Sequence, residues 1–559
     1  MTAQRRRGRP PALSRQGVLV AASAVVLAAA GAIFDRPELL GLGIVTAGVL
    51  FAVVIAQYPA AIFVWRRHVE LTWRVARPPG DPALYVGKPL ELTVQLRNWA
   101  PRSLGTATLE PIVSPALEVG AVQLAAVAGR EVQTMIVLRP RSVGLAVLHG
   151  ASLRLTDPLG LTHIEAYFPS PIALPIVPRT GAVPGYGASA RAAGPERAQR
   201  ASARQVGQGG ELRELRDHRP GDPWKQIAWK ATARRGRLMV REVERETQTT
   251  HLFVLDVSSR MRLGPRGETP LDLGIELTSR LARGALEAGD RVGLALVDKR
   301  VVGTVASSDH PTQRRKIVDS LARCTAVYDE DRTDLSDSEL CATVARYLLL
   351  QESEEARVPT PPVDDPRWMR LVAGPGGELY DVPKLVRAVE ISRHKHRHLA
   401  HLGPSSVPEA VDPRMAQLRR FCRERAIPLP LRADAGRGAE GLLAVLAGLR
   451  KQPPQRIVLV SMLDGSPGVG DELGRPLEVV LRGALAGLAR RGVRSTWVLP
   501  LVAPTARSSD VRELLDLELD RELQQARVLA GRVGLVVQPC RDVARFSLDS
   551  RVPLRKRAA

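Results

Sequence analysis

The sequence predicts a membrane-anchored multidomain chain, with two N-terminal transmembrane helices, a β-sandwich-like domain, and then a larger α/β domain. Three observations predict it. Two apolar runs, parted only by Asp35-Arg36-Pro37-Glu38, open the chain. From about residue 83, short segments alternate apolar and polar residues with period two. Beyond residue 250, apolar strand-like runs alternate with long helical patterns.

At 559 residues the chain exceeds one ordinary domain. Its 45% hydrophobic and 25% charged residues suffice for packed cores. The formal net charge of +22 comes from arginine. It has three available explanations: topology signals beside a membrane, attraction to anionic lipid, or nucleic acid. Cys324, Cys341, Cys422 and Cys540 are scattered with no Cys-x-x-Cys pair. They read as reduced residues, neither a disulfide framework nor a zinc site.

Residues 1–16 form a basic tail and residues 17–65 a transmembrane hairpin, with spans at about 17–34 and 39–60. Each run is close to the roughly 20 residues that cross a hydrocarbon core. A cleaved signal peptide would be followed by a polar mature start, whereas here a second apolar run follows at once. Arg5, Arg6, Arg7, Arg9 and Arg15 precede the first span, and Arg66, Arg67, Arg74 and Arg77 follow the second. Because Lys and Arg stay inside, both termini are expected in the cytoplasm and the protein in the inner (plasma) membrane as a multi-pass protein. Trp65 and Trp73 suit the interfacial belt.

Residues 83–178 carry strand candidates at 90–96, 132–138, 145–148 and 151–155, punctuated by Pro and Gly, and read as a sandwich or small barrel. Residues 179–210 are a basic linker rich in Gly, Ala, Ser and Arg. Arg179 to Arg245 holds 15 Lys or Arg against 7 Asp or Glu, a net of +8. Such a stretch is either a solvated face or a contact for anionic lipid or RNA.

Residues 211–250 contain the most specific stretch. Arg219-Pro220-Gly221 is a turn. Asp222 suits an N-cap, with Pro223 at the first helical position. Trp224, Ile227, Ala228 and Ala231 then recur on one helix face, Arg234 and Arg235 sit in the last turn, and Gly236 closes it. Leu238-Met239-Val240 starts a strand. Trp229, inside this helix, is expected in the core, where its truncation costs about 3–5 kcal/mol. Leu215-Arg216, Arg219-Pro220-Gly221-Asp222, Ile227, Trp229-Lys230, Ala233-Arg234 and Leu238-x-Val240-Arg241 closely resemble the signature of the bacterial "domain of unknown function 58" family. His218 stands where that family usually has Tyr or Phe. The resemblance implies two N-terminal spans, a β-rich segment and a downstream α/β domain. It also implies partnership with MoxR-type AAA ATPases and with other von Willebrand factor A domain proteins.

Residues 251–545 form the α/β domain. Strands are expected at 252–257, 292–297, 301–305, 457–462, 496–501 and 533–537, with helices such as 271–288, 477–490 and 511–528. The first strand ends in Asp256-Val257-Ser258-Ser259-Arg260, which resembles the Asp-x-Ser-x-Ser metal motif of von Willebrand factor A domains. The resemblance adds Thr333 and Asp464 as the distant threonine and aspartate. Asp256, Ser258, Thr333 and Asp464 are thus a degenerate Mg²⁺ set of hard oxygen ligands, with Arg260 replacing the last serine. Arg260 is expected to compete with the ion. The alternative is a relic in which Asp256 pairs with Arg260 or caps a helix. Residues 351–413 show no clear period and are expected to loop out as an insertion. Its His394, His396, His398 and His401 are interleaved with Arg393, Lys395 and Arg397, which favours a basic surface loop over a metal site.

The expected function is a membrane-anchored scaffold, not an enzyme, that presents a von Willebrand factor A-like domain to protein partners such as a MoxR-type AAA ATPase. The alternatives are a metal-dependent hydrolase and a basic nucleic-acid or anionic-lipid binding protein. The hydrolase lacks a nucleophile elbow, a Walker loop and a His-Glu-x-x-His helix. Nucleic acid rests on charge alone and is not an expected partner; the lipid bilayer is. Reporter fusions at residue 80 and at the C-terminus should both be active as cytoplasmic reporters, and periplasmic activity of either overturns the topology.

Overall fold

A computed structural model describes residues 11–65, 69–75, 84–98, 106–120, 122–124, 131–179, 211–219, 224, 227–244, 248–327, 333, 335–348, 381–396, 412–430, 440–449, 453–463, 477–502 and 509–546. They divide into two compact units. One comprises Met1–Arg179, Pro265–Gly267 and Leu321–Ala435; the other comprises Thr180–Gly264, Glu268–Ser320 and Gly436–Ala559.

The first unit opens with helices α1 (Arg15–Ile33) and α2 (Pro37–Trp65). Both are long and apolar enough to cross a membrane. Val18, Leu19, Val25, Val26, Leu42, Ile44 and Phe51 all lie exposed along them. An apolar surface this continuous is stable in hydrocarbon and costly in water. The two helices touch through their backbones. A Cβ on Gly31 would fall 2.3 Å from the Leu40 nitrogen, and one on Gly43 2.6 Å from that of Ala28. Small residues at such a seam replace hydrophobic drive with close packing. The turn is closed by the Arg36 N–H donating to the Gly31 carbonyl at 2.8 Å. Asp35 sits at φ +50°, the left-handed cap that glycine usually fills.

Both ends of the hairpin are tied to the β-rich part. Strand β1 (Ala12–Leu13) pairs with Thr162 and His163. Ser14 caps α1 and donates to the Gly160 carbonyl at 2.6 Å. After α2 the chain enters β2 (Val69–Val75). It continues through β3 (Leu84–Tyr85), β4 (Leu90–Asn98), β5 (Thr106–Val113), β6 (Leu117–Glu118), β7 (Val122–Leu124), β8 (Glu131–Pro140), β9 (Gly144–Thr156) and β10 (Thr162–Val177). Two sheets result, ordered β1-β10-β9-β5-β7, with β3 on β10, and β2-β4-β8-β6. On β4 the period-two pattern buries Leu90, Leu92, Val94 and Leu96 in a core shared with Leu109, Ile136, Leu148, Leu153 and Phe168. The expected strands 145–148 and 151–155 are one strand, β9. Gly150 lets it run on, since a Cβ there would meet the Phe168 carbonyl at 2.4 Å beside the irregularity between Pro169 and Ile172.

The same unit holds a helical cluster of Asp337–Tyr347, Val382–Lys395 and Pro413–Glu424 around Leu340, Val344, Leu385, Val389, Leu418 and Phe421. Within the expected aperiodic insertion over 351–413, the stretch Val382–Lys395 is a helix, which corrects the expectation there; residues 351–380 and 397–411 lie outside the described residues. Val382, Leu385, Val386 and Val389 stand at i, i+3, i+4 and i+7, and Asp381 caps the helix through the Lys384 N–H. His394 lies in its last turn and His396 at its C-cap. His398 and His401 lie outside the described residues. Buried Glu424 accepts both Arg393 donors at 2.9 Å, and buried Arg425 lies 5.1 Å over the Phe421 ring. The Tyr347 hydroxyl meets His149 Nδ1 of β9 at 3.0 Å. All four cysteines are free and buried. Burial pushes the Cys341 thiol up to about 11 and those of Cys422 and Cys540 to about 12, so thiolate chemistry is suppressed.

The second unit begins with β11 (Glu211–Asp217), α3 (Trp229–Arg235) and β12 (Met239–Glu244), in which β11 and β12 pair antiparallel. The signature helix starts later than expected. Ile227 bridges to Val240, and the Ala228 N–H donates to the Met239 carbonyl at 2.8 Å. Those bonds draw residues 227–228 onto the strand instead of into a helix. Gly236 does close α3, at φ +67°. Trp229 is not a core residue but 62% exposed, so its truncation should cost no more than a surface change, within about 0.5 kcal/mol.

The main sheet contains β13 (Thr250–Asp256), β14 (Arg291–Val297), β15 (Val301–Ser308), β16 (Arg456–Val460), β17 (Arg494–Pro500) and β18 (Val536–Cys540). Their order is β15-β14-β13-β16-β17-β18, with β15 the antiparallel edge and every other neighbour parallel. Helices α4 (Pro270–Glu287), α5 (Glu440–Gly448), α6 (Leu477–Ala489) and α7 (Ser509–Val533) accompany it. Thr269 and Asp272 form a capping box at α4. Gly274 lets α4 approach Leu255 and Val460, which a Cβ would meet at 3.0 and 3.2 Å.

His149 gives the testable consequence of the first unit. Burial, then Arg425, pushes its pKa from 6.5 down to about 4. Its neutral form is favoured in the fold, so stability is lost as pH falls from about 6.5 towards 4. Between pH 7.5 and 5 the loss attributable to this residue should be on the order of 2 kcal/mol. Denaturant melts of wild type and His149→Gln should differ in pH dependence by that amount; parallel curves would show that His149 titrates normally.

Candidate functional site

The strand order of the main sheet reverses between β13 and β16, which leave from its middle in opposite directions. In such sheets the crevice beyond the carboxyl ends of these two strands is the ligand position. Asp256 is the last residue of β13 and points into the structure there, buried. The strand before it is apolar because it is covered on both faces, so its end is the place where a polar group can emerge. Asp256 Oδ1 accepts the Ser258 N–H at 2.9 Å, and Oδ2 accepts the Ser461 hydroxyl at 2.7 Å. Ser461 follows β16 directly, so these contacts bridge the reversal point. The Trp497 indole N–H, buried on β17, donates to the Ser461 carbonyl at 2.9 Å and fixes that residue.

Burial raises the Asp256 pKa, opposed by the hydrogen bonds of Ser461 and Ser258 and supported by the charge of Asp298. Asp298 is the residue after β14, itself buried, with its carboxylate accepting the Arg300 N–H at 2.8 Å. Two carboxyls thus stand at adjacent strand ends, where a cation, a proton or a hydroxyl array must offset their repulsion.

Of the four expected metal residues, the structure brings Asp256 and Ser258 together. Thr333 belongs to the other compact unit, where its hydroxyl accepts from Arg419 at 2.5 Å. Asp464 lies outside the described residues. Arg260 heads a short 3₁₀ turn and donates to Glu522 of α7 at 3.3 Å, so its charge has a carboxylate partner other than Asp256. Among the described residues no group of three or more His, Cys, Asp and Glu is gathered as for a metal. The donors present at Asp256 are hard oxygens, one carboxylate with the Ser258 and Ser461 hydroxyls beside it, which fits Mg²⁺ better than a softer metal. Sequence reasoning missed Ser461 and Asp298. Both follow directly on apolar strand runs, which is the signal that selected Asp256.

The protein is thus of the class that couples an apolar N-terminal helix pair to an open α/β sheet with a buried acid at its reversal point. Residues 214–343, which include Asp256 and the signature segment, match the model of the family described as "Protein of unknown function DUF58". No curated protein matches the chain. A solved structure, native alpha-2-macroglobulin from Escherichia coli spanning domain MG7 to the C-terminus, aligns at 14% identity with a TM-score of 0.16. The alignment covers 83% of this chain and 66% of that one, and a score this low carries no likeness of fold.

Asp256→Asn tests the site. A carboxyl whose pKa is raised in the fold contributes stability below its unfolded pKa and loses it as pH rises through the folded value. With chelator present at pH 7, Asp256→Asn should therefore melt higher than wild type, with the difference vanishing towards acid. A lower melting temperature at pH 7 would show that the ionised carboxylate is a structural element.

Proposed function

We propose that this protein is a membrane-anchored cytoplasmic scaffold that presents a von Willebrand factor A-like domain to protein partners, a MoxR-type AAA ATPase foremost. The observation that carries the reading is the buried Asp256 carboxyl, fitted with hydroxyl and amide donors at the point where the sheet order reverses. Burying a carboxyl there costs stability, and residues kept at such a cost mark functional positions. The exposed apolar hairpin, tied at both ends to the β-rich part, supports the anchor. The arginines flanking it support cytoplasmic termini.

Mg²⁺ is part of this reading. Asp256 and Ser258 would hold it, with Ser461 as a further oxygen. When bound, the ion supplies a positive pole to which a partner's carboxylate can add. Arg260→Ser completes the Asp-x-Ser-x-Ser pattern and removes a positive charge. In calorimetric titrations of the detergent-solubilised full chain, this variant should bind Mg²⁺ and Mn²⁺ more tightly than wild type. No gain removes the metal from the reading.

The scaffold itself is tested by cross-linking and affinity capture from native membranes. Wild type should retain an AAA ATPase that Asp256→Asn loses. Equal capture by both chains, or capture of no ATPase, overturns it.

A further inference from the structure

The signature segment sorts its side chains sharply. Ile227, Ala228, Met239 and Val240 are buried against the β11–β12 pair. The Met239 N–H donates to the Thr232 hydroxyl at 3.0 Å, which fastens α3 to the strand. The two indoles point the other way, with Trp224 70% and Trp229 62% exposed, and Leu238 is exposed beside them. Two tryptophans in so short a stretch contribute little to the core of this unit, although indole is among the costliest side chains to leave in water.

Along the segment that carries them the charge has one sign. From Pro223 to Arg241 the sequence contains six Lys or Arg and no Asp or Glu. Lys230, Arg234 and Arg235 are exposed on α3, and Arg237 is exposed just beyond it. Arg237 pairs with Asp217 of β11 across an exposed contact of 3.2 Å, which leaves the cations of α3 itself to set the sign of the surface.

We propose that the Trp224–Trp229 surface docks on the anionic headgroup layer of a lipid bilayer. Indoles sit at the headgroup level, with the ring among the upper acyl chains and the N–H towards water. Each Lys or Arg at an anionic surface adds attraction that falls off within a Debye length. The proposal rests on the membrane anchor of the proposed function, because the N-terminal hairpin holds the bilayer at high effective concentration. Docking would tether the second unit to the membrane by a reversible, salt-sensitive contact in addition to the permanent one.

The test uses the full chain in nanodiscs of phosphatidylcholine alone and of equal parts phosphatidylcholine and phosphatidylglycerol. Co-elution with discs of either composition reports the hairpin, and hydrogen exchange of the amides in 227–244 reports the patch. Exchange should be slowed about tenfold or more in anionic discs only, and the protection should disappear in high salt. It should also disappear in Lys230→Glu/Arg234→Glu/Arg235→Glu and in Trp224→Ala/Trp229→Ala, both of which change exposed side chains and should keep the wild-type melting temperature. Equal exchange in the two discs overturns the proposal. So does protection that follows the number of copies per disc instead of lipid charge, which marks an interface between copies. Protection by RNA or an acidic peptide but not by anionic discs also overturns it. If the chain enters neither disc, the anchor reading fails. Free vesicles of the two compositions then decide the patch by the same measurement: anionic-only protection upholds it, and equal exchange ends it.

Discussion

Strand β13 lies between β14 and β16 with parallel pairing on both sides, from Thr250 to Asp256 on one flank and His251 to Leu255 on the other. Its backbone is committed to neighbours along its length, and its side chains are covered on both faces. Such a strand has to be apolar, and Leu252, Phe253, Val254 and Leu255 are. A polar group is admissible only where the ladder ends. That constraint puts Asp256 at the mouth of the sheet, and the order reversal at β16 brings Ser461 to it. The acid is buried, and among the described residues it is solvated by the Ser258 amide and the Ser461 hydroxyl.

The N-terminal part obeys a different constraint. A helix pair with an exposed apolar surface must satisfy its backbone groups internally, and the helical ladders of α1 and α2 do so apart from their ends and from Pro59, which has no N–H to donate. Ser14 accounts for the start of α1 by bonding both the helix and the β10 loop, while the Schellman-type closure at Asp35 accounts for the turn. The chain leaves the β-rich part after β1 and comes back to it at β2.

In the signature segment, packing and surface chemistry are divided within a few residues. The strand β12 takes Ile227 and Ala228 away from the helix that their spacing implies, because a bridge to Val240 buries them more fully than one turn of a short helix would. With the helix starting at Trp229, both Trp224 and Trp229 stand exposed beside the cations of α3.

By itself the sequence determined what depends on local pattern. The apolar runs of α1 and α2, the alternation of β4, most strands of the main sheet with helix α4, and the left-handed cap at Gly236 were legible because period, length and a glycine at a helix end are local signals; the helices within Leu321–Ala435, which fall in the other unit, were not. Asp256 and Ser258 were legible for the same reason, as neighbours at a strand end. The tertiary structure alone decided which distant residues join them. Ser461 reaches Asp256 only because β16 pairs with β13, and Thr333 is held by Arg419 in the other unit, facts that depend on strand order and chain path. Whether an indole is core or surface was decided there too. Trp229 was expected in the core from its place inside the signature helix, but it falls off the face of Trp224, Ile227, Ala228 and Ala231, and α3 buries none of its side chains.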